Sequence, residues 1–236
     1  MTRKLKATMT QALATITADP LPSVPVLGRL VLSWPTLNPV KPWSPNDLAI
    51  SAPIDQALAY QYDCDAHFVP YVSDRRLNTQ AIGKCRATMT LFVVDVDAPN
   101  HAPPTPEWRA TEREKVRRLE TIAPGYYAFE TRGGYRLVWL LSEPQDLDSP
   151  ADAALWPRVY CAWLAWLERE AGIVGDASCA DWTRCYRLPF VRRDGEDQRL
   201  PTSGDLRAGT WDLMRGREFI TVAAVNTNAD RITVSD

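Results

Sequence analysis

The stretch Thr88-Met-Thr-Leu-Phe-Val-Val-Asp-Val-Asp97 decides how the chain is read. It is rich in β-branched and aromatic residues, too short for a core helix, and closed by two acids, which marks a buried strand with carboxylates at its C-terminal end. Asp95 and Asp97 stand at i and i+2, so their side chains leave the same face about 6.6–6.8 Å apart along the backbone. Two carboxylates on one face at the edge of a buried strand repel each other unless a cation joins them. Hard divalent ions such as Mg²⁺ or Mn²⁺ take oxygen ligands and are commonly shared with substrate phosphates. Polymerases, nucleases and many glycosyltransferases share this device, so the acid pair alone does not choose among them.

Downstream of the strand, a proline-rich turn over 98–106 leads to a polar helix over 107–121, which Pro124-Gly125 breaks. Tyr126 to Thr131 and Tyr135 to Leu141 then form two strands around Arg132-Gly133-Gly134, a hairpin signature. The glycines let backbone approach a ligand closely, and Arg132 and Arg136 flank them, Arg136 able to offer a bidentate guanidinium to phosphate. Ser149-Pro150 can cap and start the next helical region. Its main run, Trp156 to Ala171, carries Val159, Trp163, Trp166 and Leu167 on one apolar stripe and stops at Gly172. The resulting β-α-β-β-α order places the chain in the α+β or mixed α/β class.

Upstream, residues 1–20 suit a short helix or a frayed end. Pro20 to Pro53 is too dense in proline for a long helix. Strands are expected over 28–34 and 67–73, a short helix over 55–62, and a late strand over 219–225.

With 236 residues the chain can bury a core without staples. A net charge of −2, from 27 basic and 29 acidic side chains, excludes a uniformly cationic nucleic-acid coat but not a local basic groove. No apolar run reaches membrane-span length, no signal peptide opens the chain, and the expectation is a cytosolic protein that binds no membrane. The five cysteines read as free thiols. Cys64-Asp-Ala-His67, completed by Cys85 or by Cys179 and Cys185, is the best zinc candidate, and incidental thiols are favoured over it. No Gly-x-x-x-x-Gly-Lys-Ser/Thr loop occurs.

A third chemical element is Asp181-Trp-Thr-Arg-Cys-Tyr-Arg187-Leu-Pro-Phe-Val-Arg192-Arg193, one acid followed by four arginines with aromatic residues interleaved. Beside metal-binding carboxylates such a segment suits a nucleic-acid backbone or a triphosphate.

Together, the strand ending in Asp-x-Asp, the Gly-Gly hairpin continuing as Tyr-Arg-Leu-Val-Trp-Leu-Leu, and the downstream Asp-x-x-Arg-x-x-Arg-Leu-Pro resemble the archaeo-eukaryotic primase superfamily. The similarity is to the primase-polymerases of plasmids and phages and spans about residues 65–193. Val69-Pro-Tyr-Val-Ser-Asp-Arg75-Arg76 adds a weaker match. The resemblance implies an α+β catalytic core with an RNA-recognition-motif-like sheet, here over about 65–200, an N-terminal α/β unit over 1–64 and a C-terminal part over 201–236. It implies template-dependent nucleotidyl transfer on single-stranded DNA from NTP or dNTP, with Mg²⁺ or Mn²⁺. A replicative helicase, separate or fused, is the implied partner. Asp95 and Asp97 match the first motif. Asp181 best matches the third-motif acid, with Asp176 as competitor. Arg136 stands where many members carry a histidine that touches the incoming phosphates. Two metals about 3.5–4 Å apart would join Asp95, Asp97 and Asp181 to the triphosphate. Arg136, Arg132, Arg184 and Arg187 would hold phosphate oxygens, and Arg192, Arg193, Trp182 and Tyr186 would line a template path. Two rivals stand beside this reading: an Asp-x-Asp glycosyltransferase, which requires a nucleotide-binding βαβ unit ahead of the acids, and a non-catalytic initiator that only binds single strands.

Overall fold

The computed structural model describes residues 19–20, 29–33, 48–62, 65–73, 87–123, 126–193 and 196–197. The helix or frayed end expected over 1–20 lies outside the described residues except for Asp19 and Pro20, which form a strand, and the strand expected over 219–225 lies outside them altogether.

The chain is α+β, and every strand pairing among the described residues is antiparallel. Strands β1 (Asp19–Pro20), β2 (Arg29–Ser33) and β3 (Leu48–Pro53) precede a short helix α1 (Ile54–Ala59). Strands β4 (His67–Val69) and β5 (Tyr71–Val72) follow, then β6 (Thr88–Asp97), α2 (Pro106–Ile122), β7 (Tyr126–Glu130), β8 (Gly134–Asp146) and α3 (Pro150–Ala171). Three two-residue strands close the described chain: β9 (Tyr186–Arg187), β10 (Arg192–Arg193) and β11 (Glu196–Asp197).

The central sheet has the order β5-β6-β8-β7. Its β6-α2-β7-β8-α3 run is a split β-α-β arrangement of the RNA-recognition-motif kind, with the fourth strand supplied from upstream by β5. A second sheet has the order β1-β3-β2-β4-β9, so strands from either side of β6 in sequence complete it.

The segment expected as one strand over 67–73 divides at Pro70, with β4 in one sheet and β5 in the other. Proline has no N–H for a ladder, but its carbonyl accepts from Thr90 N–H (3.0 Å) and Leu91 N–H (3.2 Å), pinning the crossover to β6. β8 runs past the expected Leu141 end to Asp146 because Leu140 pairs Leu91 while Gln145 pairs Met89. The extra residues form a bulge that takes up Pro144 beyond the reach of β7, where no second ladder has to be satisfied.

Helix α3 begins at Pro150 behind the Ser149 cap, where the sequence places its start. Ser149 Oγ accepts from Asp152 N–H and the Asp152 carboxylate accepts from Ser149 N–H, a closed capping box, and Pro157 is carried inside the helix. Gly172 ends it with φ 69°. The α3 stripe covers one face of the central sheet. Phe92 packs against Trp156, Tyr160 and Trp163, with ring centroids 5.1–6.0 Å apart, and Trp139 meets Trp163 edge-on at 5.6 Å. Helix α2 lies on the same face: Trp139 Nε1 donates to Ala123 O and Tyr135 Oη to Arg109 O. Side chains alternate along β6, so this dense packing under Phe92 leaves Asp95 and Asp97 on the opposite face.

Candidate active site

Register builds the site. Asp95 lies directly opposite Arg136, and Phe129 lies on the far side of Arg136, so the three form one row across β6, β8 and β7. Directly opposed residues share a face. Arg136 does not reach out into solvent, however. Its Nη2 donates to Asp95 Oδ2 at 2.7 Å and its Nη1 to the carbonyl of Arg187 at 2.8 Å. The guanidinium sits 5.2 Å from the Tyr186 ring centre and 5.9 Å from that of Phe129. Asp95 and Arg136 are 7% and 8% exposed, so the pair is buried. The cation expected to join the two acids is, at Asp95, an arginine of the chain itself. Asp95 Oδ1 stays buried without a hydrogen-bond partner.

Asp97 is half-buried, and its Oδ2 lies 3.3 Å from His101 Nδ1. Burial, and next the charge of Asp95, push the Asp97 carboxyl above its ordinary range, with His101 and Arg136 opposing. His101 follows Asn100 in a left-handed turn, with φ 53° and 58°. Two successive non-glycine residues in that region store local strain at the rim of the site.

The hairpin turn is held close by glycine. Gly134 pairs Asp97, and a Cβ there would fall 1.9 Å from Val96 O; one on Gly133 would fall 2.5 Å from Asp97 Oδ1. No residue with a side chain fits at Gly134 without parting the strands. Arg109 of α2 grips the turn from below, donating to Thr131 O (3.0 Å), Arg132 O (3.2 Å), Gly134 O (3.2 Å) and Glu130 Oε2 (3.4 Å). Arg113 donates to the other oxygen of the fully buried Glu130 at 2.9 Å. Arg109 and Glu130 are not among the residues expected at the site; their signal is a pair of arginines one helical turn apart and a lone acid at a strand end.

The chain leaving α3 returns along β6. Among the described residues β5 pairs only Thr88 and Met89, so the later edge of β6 carries no strand from them, and Asp176 N–H donates to Asp95 O at 2.7 Å there. Of the two acids considered for the third position, Asp176 is the one held against β6. Burial opposes its ionisation, but the Ser178 hydroxyl and N–H, then Arg184 at 3.6 Å, keep its carboxyl below the usual range. Asp181 is exposed, and its Oδ1 accepts from Thr183 N–H (3.0 Å) and Thr183 Oγ1 (2.7 Å), an Asx turn. Arg184 also donates to Ser178 Oγ.

Arg187 pairs Asp65 through Nε (2.6 Å) and Nη2 (3.1 Å). Arg132 is exposed, and its guanidinium has no ion pair among the described residues. These groups surround a pocket of about 370 Å³ whose lining includes Asp97, His101, Phe129, Arg132, Gly133, Arg136 and Arg187.

Two aromatic members of the expected template path are not available to bases. Trp182 is 4% exposed and packs edge-on against Tyr71, while Tyr186 is 2% exposed beneath Arg136 and beside Phe68. Both rings serve the core: β9 is the edge strand of the second sheet, and its Tyr186 ring reaches the Arg136 guanidinium of the central one. Arg192 and Arg193 lie in β10, facing Asp197 and Glu196 of β11 across the ladder.

A divalent ion has one matching feature here: the orphaned Asp95 Oδ1 on the same face as Asp97. Among the described residues no three His, Cys, Asp or Glu side chains converge as a ready-made metal cage. The zinc candidate does not assemble among them either. Cys64 and Cys85 lie outside the described residues, Cys179 is a buried free thiol, and burial drives the His67 imidazole down to about 3.

No protein-family model and no curated protein sequence matches the chain. Among solved structures it is similar to the polymerase domain of Mycobacterium tuberculosis Ligase D in complex with DNA. That similarity has 14% sequence identity and a TM-score of 0.34, covering 93% of this chain and 85% of that one.

Proposed function

We propose that this chain is a primase-polymerase of the archaeo-eukaryotic kind, transferring nucleotidyl groups from NTP or dNTP on a single-stranded DNA template in plasmid or phage replication. The observation that carries the reading is the pocket lined by Asp97, Arg132, Arg136 and Arg187 beside Gly133 of the turn, with Asp95 paired to Arg136. The sequence resemblance covers the same residues in the same order. Mg²⁺ or Mn²⁺ bound by Asp97 and Asp95 Oδ1, with Asp176 as the neighbouring third acid, would lower the pKa of an attacking hydroxyl and neutralise charge on the leaving pyrophosphate. Arg132, which lines the pocket, would take phosphate oxygens directly. Arg187 can do so from its Asp65-held position, and Arg136 chiefly fixes Asp95. The Gly133 carbonyl accepts from Ala98 N–H at 3.0 Å, and the lack of a side chain at Gly133 would leave room for a phosphate to approach. A helicase, separate or fused, remains the proposed partner.

One observation favours a second reading. Every acid near the pocket already has a basic neighbour: Asp95 has Arg136, Asp97 has His101 and Asp176 has Arg184. A site so balanced suits an initiator that binds single strands without chemistry. The glycosyltransferase reading lacks its required parallel βαβ unit among the described residues, where the strands before β6 pair antiparallel.

The test is incorporation of labelled nucleotide on unprimed and primed single strands with Mg²⁺ or Mn²⁺, each nucleotide type supplied in turn. Product from the wild type and none from Asp97→Asn supports the enzyme. Tight single-strand binding with no product from any nucleotide supports the initiator.

A further inference from the structure

We propose that Arg109 of α2 is a positioning residue for the pocket: it seats the Glu130–Gly134 turn, and with it Arg132, against Asp97. The proposal rests on the reading above that the pocket takes nucleotide phosphates, with Arg132 among their ligands. Arg109 is not one of the residues that line the pocket; its side chain is 13% exposed beneath the turn. Nη2 donates to the carbonyls of Thr131 and Arg132, at 3.0 and 3.2 Å. Nη1 donates to the carbonyl of Gly134 at 3.2 Å and to Glu130 Oε2 at 3.4 Å. The planar fork of arginine serves acceptors on both nitrogens at once, which a single ammonium does not. Glu130, Thr131, Arg132 and Gly133 all line the pocket. The remaining turn carbonyl, that of Gly133, accepts from Ala98 N–H at 3.0 Å. Gly133 lies against the acid: a Cβ there would fall 2.5 Å from Asp97 Oδ1. A shift of the turn therefore changes the place of Arg132 and its distance from Asp97 together.

The turn does not need Arg109 in order to form. Thr131 N–H donates to Gly134 O at 2.8 Å and Gly134 N–H to Thr131 Oγ1 at 3.0 Å, which closes the hairpin from within. Glu130 pairs Tyr135 in the β7–β8 ladder just outside it. Glu130 also keeps Arg113 at 2.9 Å and Tyr135 Oη at 3.4 Å, so loss of Arg109 leaves its carboxylate partnered. Among the described residues, α2 reaches the turn carbonyls through Arg109. The helix is itself fixed on the sheet by buried Val116 and Leu119, and by Tyr135 Oη, which donates to Arg109 O at 2.9 Å. Arg109 thus passes the position of a packed helix to the rim of the pocket.

The experiment is binding of inorganic tripolyphosphate, followed by calorimetry with and without Mg²⁺, to the wild type, Arg109→Met, Arg132→Ala and the double variant. Arg132→Ala deletes a charged contact and should weaken binding about tenfold or more. Arg109→Met should weaken it at least about fivefold, because a displacement on the order of 1 Å is costly for an oriented contact. With Arg132 gone, the seat of the turn no longer matters. The double variant should therefore bind as Arg132→Ala does, within about twofold. A residue that only stabilised the fold would not show that coupling. Arg109→Lys keeps the charge beside Glu130 but not the fork, so it too should bind at least about fivefold more weakly than wild type. It replaces Arg109→Met in the cycle if that variant does not fold. Wild-type affinity in the Arg109 variants, or losses that multiply in the double variant, would overturn the proposal and leave the phosphate reading intact. No binding by the wild type under either condition, or an Arg132→Ala variant that binds as wild type does, would defeat that reading and the proposal with it.

Discussion

Asp95 and Asp97 are two residues apart on one face, yet removal of the first should cost much stability and removal of the second almost none. Asp95→Ala deletes the buried counter-ion of Arg136 and leaves the guanidinium without its 2.7 Å partner at 8% exposure. Removing one member of a buried pair costs about 3–5 kcal/mol. Arg136 keeps the Arg187 carbonyl and its aromatic neighbours, so the low end, about 3 kcal/mol, is expected. For a chain of this size that is a melting-temperature drop of roughly 6–12 °C, at 2–4 °C per kcal/mol. Asp97→Ala removes a carboxylate whose charge the fold disfavours and whose neighbour is an exposed histidine, so it should change stability by no more than about 0.5 kcal/mol. Urea unfolding followed by tryptophan fluorescence, with thermal melts, measures both. A double change of Asp95 and Arg136 to apolar residues of similar size should recover most of the loss. Equal destabilisation by the two single Ala variants would refute the claim that Arg136 is bound to Asp95.

Three further outcomes follow from other parts of the site. Gly134→Ala places a Cβ 1.9 Å from Val96 O and should cost at least about 2 kcal/mol by forcing the β6–β8 ladder apart, read by the same unfolding assay. Asp97→Asn should gain stability over wild type as pH rises. The Asp97 carboxyl binds its proton more tightly in the fold than its ordinary 3.8, so wild type loses stability between 3.8 and the raised folded value, and the variant's advantage vanishes below that window. Melting temperatures of both proteins from pH 3 to 8 test the sign. Single-strand affinity should fall with salt at a log–log slope of roughly −0.7 per phosphate neutralised, and Arg132→Glu should weaken it more than Arg192→Glu, because Asp197 already faces Arg192.

Much of this arrangement was legible in the order of residues. The alternation of β6 put both acids on one face, and the Arg-Gly-Gly turn located the hairpin. What failed to show was contact between segments far apart in sequence. Asp95 and Arg136 are 41 residues apart, and only the β6–β8 register makes them opposite, so Arg136 looked like a free phosphate ligand. Trp182 and Tyr186 looked like stacking platforms because local sequence cannot distinguish an aromatic that faces a groove from one that faces a second sheet. The choice between Asp176 and Asp181 could not be made from distance to Arg-Leu-Pro. It depends on which backbone N–H meets the edge of β6.

That edge links fold to chemistry. β5 pairs only two residues of β6, and the crossover at Pro70 is what cuts it short, since the strand cannot continue through a residue without an N–H. Had β5 run the full length of β6, the Asp95 carbonyl would be paired with it and Asp176 would have no place beside the acid pair. The same edge lets the segment carrying Cys179 and Arg184 close over the end of the sheet. The Cys179 thiol, pushed up to about 12 by burial and next by Asp95, stays protonated there and adds no charge. A proline 25 residues ahead of Asp95 thus sets which third acid can join it. Replacing Pro70 with a residue that carries an N–H would test this, with loss of the Asp176–Asp95 contact, read from protection of the Asp176 amide against hydrogen exchange, as the expected result.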